Sequence, residues 1–226
     1  MDRVVWIPFE APYSYEFFDR TLSWIKERPQ KNFRILTYDP NRPTHVPHPA
    51  LLNLVWGSQI YLRGHGLAGD AHVTTTYNNG KQKLHIHDSI DRLLDMGLPS
   101  TFRGTIKFYS CFSALTGVPK YLGGGTPVFD KKHPEDILKT KMKGGNYAPK
   151  GIPLAKVGAN YFRSKGFNKC KFLGYKGPLT GAYVDSDNAK DNQMHKYCEE
   201  VKYDCYGTAH FQPTKSRRAS DARASF

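Results

Sequence analysis

The amino-acid sequence predicts an α/β fold built on a mainly parallel sheet flanked by helices. Two observations predict it: short apolar runs of strand length, and segments between them whose apolar residues recur at helical spacing. When strands and helices alternate in this way, the strands are usually parallel and the helices cross over between them. A chain of 226 residues is long enough for one such domain with a single core.

Five apolar segments are predicted as strands of this sheet. Proline, glycine or polar turn residues bound each segment, and such residues commonly end a strand. The predicted strands are residues 4–9, 33–38, 59–63, 105–110 and 170–175.

Three amphipathic segments are predicted as helices, with Asp88 as the expected N-cap of the second. A hairpin is also expected at residues 70–86, because polar and apolar residues alternate there around an Asn78-Asn79-Gly80 turn. The predicted helices are residues 13–27, 88–97 and 153–166.

Two segments lack a clear periodicity. The glycine-rich basic stretch 121–150 is predicted as a long loop or insertion. Residues 212–226 are basic and poor in apolar side chains, so we expect a disordered tail there. The folded domain is therefore expected to span residues 1–211, with its central part at about residues 55–180.

The chain carries a formal net charge of +13. Residues 131–176 contain twelve Lys or Arg against Glu135 and Asp136, so this stretch alone contributes +10. Such a surface attracts phosphates, acidic lipids or acidic proteins, and it also suits a solvated face that keeps a protein in solution. The basic run 215–218 is interpreted as part of a solvated tail rather than as a nucleic-acid patch.

The cysteines and the N-terminal sequence bear on the cellular compartment. No classical signal peptide begins the chain, and no apolar run approaches the ~20 residues that span a bilayer. We expect no membrane span, and either a cytoplasmic protein or one exported without a classical signal, including delivery into a host cell. Four cysteines match no disulfide or zinc framework and suit reduced thiols, namely Cys111, Cys170, Cys198 and Cys205.

His65 and Cys111 are the residues whose placement points to chemistry. His65 lies between two glycines directly after a predicted strand, and Cys111 ends another. A thiol at neutral pH needs a nearby base to attack a carbonyl, and histidine is the usual base. Strand-end glycines allow a close approach of substrate, and the backbone N–H groups of Gly66 and Cys111 are candidate donors to an oxyanion.

These residues resemble the caspase-like cysteine peptidases. In that group an apolar strand ends in Gly-His-Gly and a later one ends in Ser-Cys or Ala-Cys, as 60–66 and 106–111 do here. The two candidate residues are 46 positions apart, which is within the range of the group, and the resemblance covers about residues 55–180. Nearest to it are the self-processing domains of bacterial toxins and effectors and the clostripain and metacaspase relatives.

The resemblance implies a caspase-like three-layer sandwich and a dyad in which His65 is the base and Cys111 the nucleophile. It implies a protein or peptide substrate, no required cofactor or metal, and no third residue that orients the histidine, although Asp70 is a conceivable orienter. Toxin-type relatives bind an anionic inositol phosphate, so a similar activator is expected here on Lys139, Lys141, Lys143 and Lys150. The residues leave the specificity pocket open: Arg63 and Lys107 would select Asp, Asp185 and Asp187 would select Arg or Lys, and an apolar pocket is equally compatible.

Other interpretations compete with a peptidase. A degenerate caspase-like module that binds an anionic partner, or a cysteine-dependent acyltransferase, is compatible with the same residues. The string 64–69 resembles a dinucleotide-binding loop, but a hairpin rather than a helix is predicted after it. His85, His87 and Asp88 are weak metal candidates because no further ligand lies nearby in the sequence.

Overall fold

The computed structural model describes residues 1–26, 29–44, 46–115, 151–176, 179 and 219–226, and the backbone course of 119–122, 126–130, 197–203 and 208–218. Strands and helices alternate through most of these residues. In chain order they are β1 (Arg3–Ile7), α1 (Tyr15–Lys26), β2 (Phe33–Thr37), α2 (Pro49–Leu52), β3 (Gln59–Arg63), β4 (His72–Tyr77), β5 (Gly80–His85), α3 (Ile86–Asp95), β6 (Thr105–Tyr109), β7 (Pro119–Leu122), β8 (Thr126–Asp130), α4 (Leu154–Ser164), β9 (Lys171–Tyr175), β10 (Tyr197–Tyr203), β11 (Thr208–Arg218) and β12 (Arg223–Ser225).

A six-stranded sheet in the order β12-β9-β6-β3-β1-β2 forms the centre of the protein. Its first five strands in chain order are parallel, and only β12 runs antiparallel at one edge. The predicted α/β class with a mainly parallel sheet is confirmed. Strands buried on both faces need apolar residues at successive positions, which explains the continuous apolar runs in the sequence.

Helices cover both faces of this sheet. On one face Trp24 of α1 packs against Tyr61 and Tyr109, with ring centroids 5.4 and 5.7 Å apart. On the other face Phe162 of α4 lies 6.4 Å from Phe108, and α3 packs beside α4. The arrangement is compatible with a three-layer sandwich.

The hairpin expected at 70–86 is present as β4 and β5. Asn78 and Asn79 at its turn have φ values of 46° and 64°, the left-handed pair that a tight hairpin turn requires. Helix α3 begins directly after it, at Ile86, so Asp88 is not the N-cap. The cap is His85, whose Nδ1 accepts the backbone N–H of His87 at 3.2 Å, and Asp88 lies in the first turn.

The C-terminal segment differs from the expected disordered tail. Strand β11 continues to Arg218, β12 pairs with β9, and Ala219 and Ala222 are buried in the core. Main-chain bonds such as Lys176 N–H to the Ala222 carbonyl at 2.8 Å secure this segment. An edge strand joins a sheet through its backbone groups, so low apolar content did not reveal it.

The stretch predicted as a loop at 121–150 also contains regular structure. Strands β7 and β8 form an antiparallel pair in a four-stranded sheet of order β10-β11-β8-β7. The rest of that stretch lies outside the described residues. Within the described part of the chain, no helix has the length and apolar character needed to cross a bilayer.

Lys107 is a buried cation in the middle of β6. Its side chain is 7% exposed, and Nζ donates to Gln59 Oε1 and to the Tyr61 hydroxyl, each at 2.8 Å. Both partners are neutral. Burial, and then the positive charges of Arg223, Arg3 and Lys31, lower the pKa of Lys107 to about 7.

Lys107→Met should reduce the pH dependence of stability. The folded pKa of about 7 lies below the ordinary value of 10.5, so the unfolded chain binds more protons in this window. The wild type should therefore gain stability as pH rises above about 7, on the order of 1.4 kcal/mol per pH unit. Below that pH the buried side chain is protonated, and the full cost of burying its charge lowers the free energy of unfolding. Urea unfolding near pH 6.5 and pH 9 measures this gain; equal gains in both proteins would contradict the assignment.

Candidate active site

His65 and Cys111 lie beyond the carboxyl ends of two adjacent central strands. Strands β3 and β6 pair in parallel with Arg63 opposite Tyr109, so each candidate residue is two positions past a matched pair. A Cβ added at Gly66 would lie 2.7 Å from the Cys111 carbonyl oxygen and 2.9 Å from Ser110 Cβ. The loops that carry the two residues are therefore in contact at the carboxyl edge, which is where ligands bind in parallel sheets.

The backbone of His65 is fixed by the hairpin. Its N–H donates to the Thr74 carbonyl at 2.8 Å, and the Thr74 N–H donates back to the His65 carbonyl at 3.0 Å. The imidazole packs 5.0 Å from the Phe17 ring, and its side chain is 44% exposed. The base is thus held on one side and accessible on the other.

Glu16, in the first turn of α1, holds the imidazole of His65. Its Oε1 lies 2.5 Å from His65 Nε2. Its Oε2 accepts the Thr76 N–H at 2.7 Å and the Thr75 hydroxyl at 2.9 Å. Burial opposes ionisation of this 12% exposed carboxyl, but the bonds from Thr76, His65 and Thr75 outweigh it and lower its pKa.

An ionised Glu16 determines which nitrogen of His65 can act as a base. An ionised carboxylate can only accept a hydrogen bond, so the neutral imidazole places its N–H at Nε2 and its lone pair at Nδ1. The sequence reasoning missed this residue, because Glu16 lies 49 positions from His65 and an acidic residue in a first helical turn is ordinary. Asp70, the conceivable orienter, instead contacts His72 Nδ1 at 2.6 Å and Lys83 Nζ at 3.1 Å.

Cys111 lies on a sharp turn after β6. The next residue, Phe112, has a φ of 55°, a left-handed conformation that is uncommon for a bulky residue. The Ser113 hydroxyl donates to the Phe108 carbonyl at 2.7 Å and accepts the Tyr175 N–H at 2.9 Å. The Ser113 carbonyl accepts the Ala155 N–H of α4 at 2.9 Å. These bonds hold the turn against β9 and the first turn of α4.

The chain itself lies against the thiol of Cys111. Leu179, four residues after the end of β9, donates its N–H to Sγ at 3.2 Å. The Leu179 carbonyl lies 3.8 Å from the same sulfur. Beside Cys111, the buried Ser110 hydroxyl has no hydrogen-bond partner among the described residues.

Arg63 and His87, which the sequence also singled out, make contacts of their own. Arg63 is 6% exposed, donates to the Thr21 hydroxyl and lies over the Phe17 ring at 5.6 Å, so it supports α1 from beneath. His87 stacks on Tyr161 at 3.9 Å, and no cluster of three metal-binding side chains occurs among the described residues. The other candidates lie outside the described residues, namely Asp185, Asp187, Lys139, Lys141, Lys143 and Lys150.

Comparison with known proteins identifies no matching family model, curated protein or solved structure. The geometry of the site comprises a histidine held by a carboxylate and a cysteine on a strained turn, at the ends of neighbouring parallel strands.

Gly66→Ala should disturb the contact between the two loops. The added Cβ would meet the Cys111 carbonyl oxygen at 2.7 Å, and overpacking of this kind typically costs about 1–3 kcal/mol of unfolding free energy. We also expect a changed alkylation rate at Cys111, since its backbone must shift. In the control Gly166→Ala a Cβ meets nothing within 4 Å, but the φ of 96° is strained for alanine, so stability should fall without a change in the Cys111 rate. Unaltered stability and alkylation in Gly66→Ala would contradict the contact.

Proposed function

We propose that this protein is a cysteine peptidase of the caspase-like type that cleaves peptide bonds through an acyl-enzyme on Cys111. The observation that carries the proposal is the pairing of β3 with β6, which places His65 and Cys111 on touching loops at the same edge of the sheet. The carboxylate of Glu16 on His65 adds the fixed orientation that a general base needs.

The proposed reaction follows from the orientation of the imidazole. Nδ1 of His65 accepts the thiol proton, and the Cys111 sulfur attacks the substrate carbonyl carbon. The resulting oxyanion is stabilised by the backbone N–H groups of Gly66 and Cys111. His65 then gives the proton to the leaving amine as the C–N bond breaks. Water, deprotonated by His65, next attacks the thioester carbonyl; the C–S bond breaks, the acid leaves, and His65 returns the proton to the Cys111 sulfur.

Glu16 acts in this scheme as a positioning residue. It stabilises the imidazolium that forms when His65 takes the thiol proton, while the Nε2 proton stays on His65 throughout. Its own ionised state is supported by two neighbouring threonines of β4, Thr75 and Thr76. The resemblance implies only the dyad of His65 and Cys111, and the proposal adds Glu16 as a third residue that positions the histidine.

The resemblance supplies the finer parts of the proposal. They include a caspase-like three-layer sandwich, an effector or self-processing toxin-type role, and an anionic activator such as an inositol phosphate bound by the basic stretch 131–176. No cofactor is required for the chemistry. Leu179 contacts the sulfur of Cys111, so the proposal assigns the substrate-specificity pocket to the residues that follow β9.

Peptide-library cleavage tests the proposal directly. Wild type should cleave, and Cys111→Ala and His65→Ala should each reduce kcat/KM by at least about a thousandfold, because the dyad acts as a unit. Product analysis should show free carboxylic acids; transfer of the acyl group to an amine or alcohol would favour an acyltransferase. Retained cleavage in Cys111→Ala would contradict the assigned nucleophile.

Iodoacetamide labelling provides the matching test when no substrate is known. Cys170 is the internal control, since burial raises its pKa to about 11 and its thiol donates to the Phe102 carbonyl at 3.4 Å. Mass spectrometry should find Cys111 alkylated well before Cys170 near pH 7.5, because the thiolate is the reactive form. Equal rates at the two cysteines would count against catalysis.

Glu16→Gln should lower kcat by about tenfold to a thousandfold, because the amide can donate to Nε2 and favour the wrong tautomer of His65. The matched control is Asp19→Asn, an exposed acid on the same helix, which should leave kcat unchanged. Glu16 should also contribute to stability in a pH-dependent way. Because folding lowers its pKa, the stabilisation is complete above pH 4.5, its ordinary pKa, and is lost as the pH falls through the lower pKa of the folded state. A stability deficit without a kcat deficit would assign Glu16 a purely structural role.

A further inference from the structure

The amino-terminal edge of the six-stranded sheet is the end opposite the candidate active site. Its five parallel strands begin in register, with Arg3 paired to Phe33 and Gln59, and Gln59 to Thr105, which pairs with Lys171. Each strand has five residues, so this edge lies about 17 Å from the carboxyl edge. Residues that precede the strands are collected on one surface.

Exposed apolar side chains project from this edge on a well-defined turn. Trp56 is 86% exposed, and its neighbours Val55 and Leu52 are also exposed. The Ser58 N–H donates to the Val55 carbonyl at 3.0 Å, and the Val55 N–H donates to the Ser58 hydroxyl at 3.1 Å. Gly57 supplies the positive φ of 92° that such a turn needs. The exposure of Trp56 is therefore built into the fold.

Trp56 differs from the other tryptophans of the chain. Trp6 and Trp24 are buried in the core. Met1 is exposed as well and lies over the turn, since a Cβ added at Gly57 would be 3.6 Å from Met1 Cε. We refer to Met1, Leu52, Val55 and Trp56 as the apolar patch.

Basic side chains share the amino-terminal edge with the apolar patch. The segments at this edge are residues 1–3, 31–34, 52–58, 103–105 and 169–171, and Asp2 is their one acidic residue. Asp2 lies 3.9 Å from Arg34, which also donates to the Pro49 carbonyl beside the patch. The six basic residues of these segments are Arg3, Lys31, Arg34, Arg103, Lys169 and Lys171.

We propose that the amino-terminal edge is a peripheral binding surface for bilayers that contain anionic lipids. Cations attract the lipid headgroups, while Trp56 lies at the interface and the aliphatic side chains of the patch enter the acyl boundary. A nucleic acid would use the cations and stack on Trp56, but it offers no apolar layer for Leu52 and Val55. Binding in this orientation directs His65 and Cys111 away from the bilayer.

Vesicle binding tests the surface independently of catalysis. The full chain is mixed with phosphatidylcholine vesicles that contain or lack about 30% phosphatidylserine and is then sedimented. We expect binding to the anionic vesicles only, with a blue shift of Trp56 emission and quenching by brominated lipid. Each cation near the surface contributes about fivefold, so Arg103→Glu with Lys171→Glu should weaken binding by at least about tenfold.

Matched variants separate the patch from general effects. Trp56→Ser should weaken sedimentation by about tenfold, because it removes the aromatic anchor. Two control variants change an exposed apolar and an exposed basic residue away from the amino-terminal edge: Leu22→Ser on α1 and Lys81→Glu on β5. Both should bind vesicles as the wild type does. Equal binding to neutral vesicles, no binding, or binding that Trp56→Ser leaves intact would overturn the proposal. Tighter binding to single-stranded RNA than to anionic vesicles would overturn it in favour of a nucleic-acid surface.

Discussion

The parallel pairing of β3 with β6 is the constraint on which the candidate site depends. It brings the chain segments after Arg63 and Tyr109 to the same height at the carboxyl edge of the sheet. Gly66 then packs directly on Ser110 and Cys111, with no room for a side chain. A shift of one residue in this register would turn every side chain of one strand to the opposite face, so the core and the site are specified together.

The carboxylate of Glu16 connects helix α1 and strand β4 to the imidazole of His65. Its oxygens accept bonds from β4 as well as from the histidine, and α1 supplies the carboxylate itself. The same hairpin fixes the His65 backbone through Thr74. This partly buried carboxylate stays ionised despite its desolvation, because the hydrogen bonds from Thr76, His65 and Thr75 lower its pKa.

The two edges of the sheet have different chemistry because parallel strands give them different backbone groups and different loops. The carboxyl edge carries a sharp turn at Cys111 and a hairpin-braced histidine. The amino edge carries short connections with lysine, arginine and an exposed tryptophan. Buried Lys107 lies in the middle of β6, between the two edges, where burial and the charges of Arg223, Arg3 and Lys31 lower its pKa.

The sequence by itself determined the class of fold, the central strands and the placement of His65 and Cys111, because strand and helix periodicity is local and both residues follow apolar runs. Tertiary structure alone decided that Glu16 contacts His65, that Arg63 is buried beneath α1 and that the C-terminal residues form an edge strand. Contacts between residues 42 or more positions apart leave no periodic signal. An edge strand is held by backbone hydrogen bonds, which any side-chain composition permits.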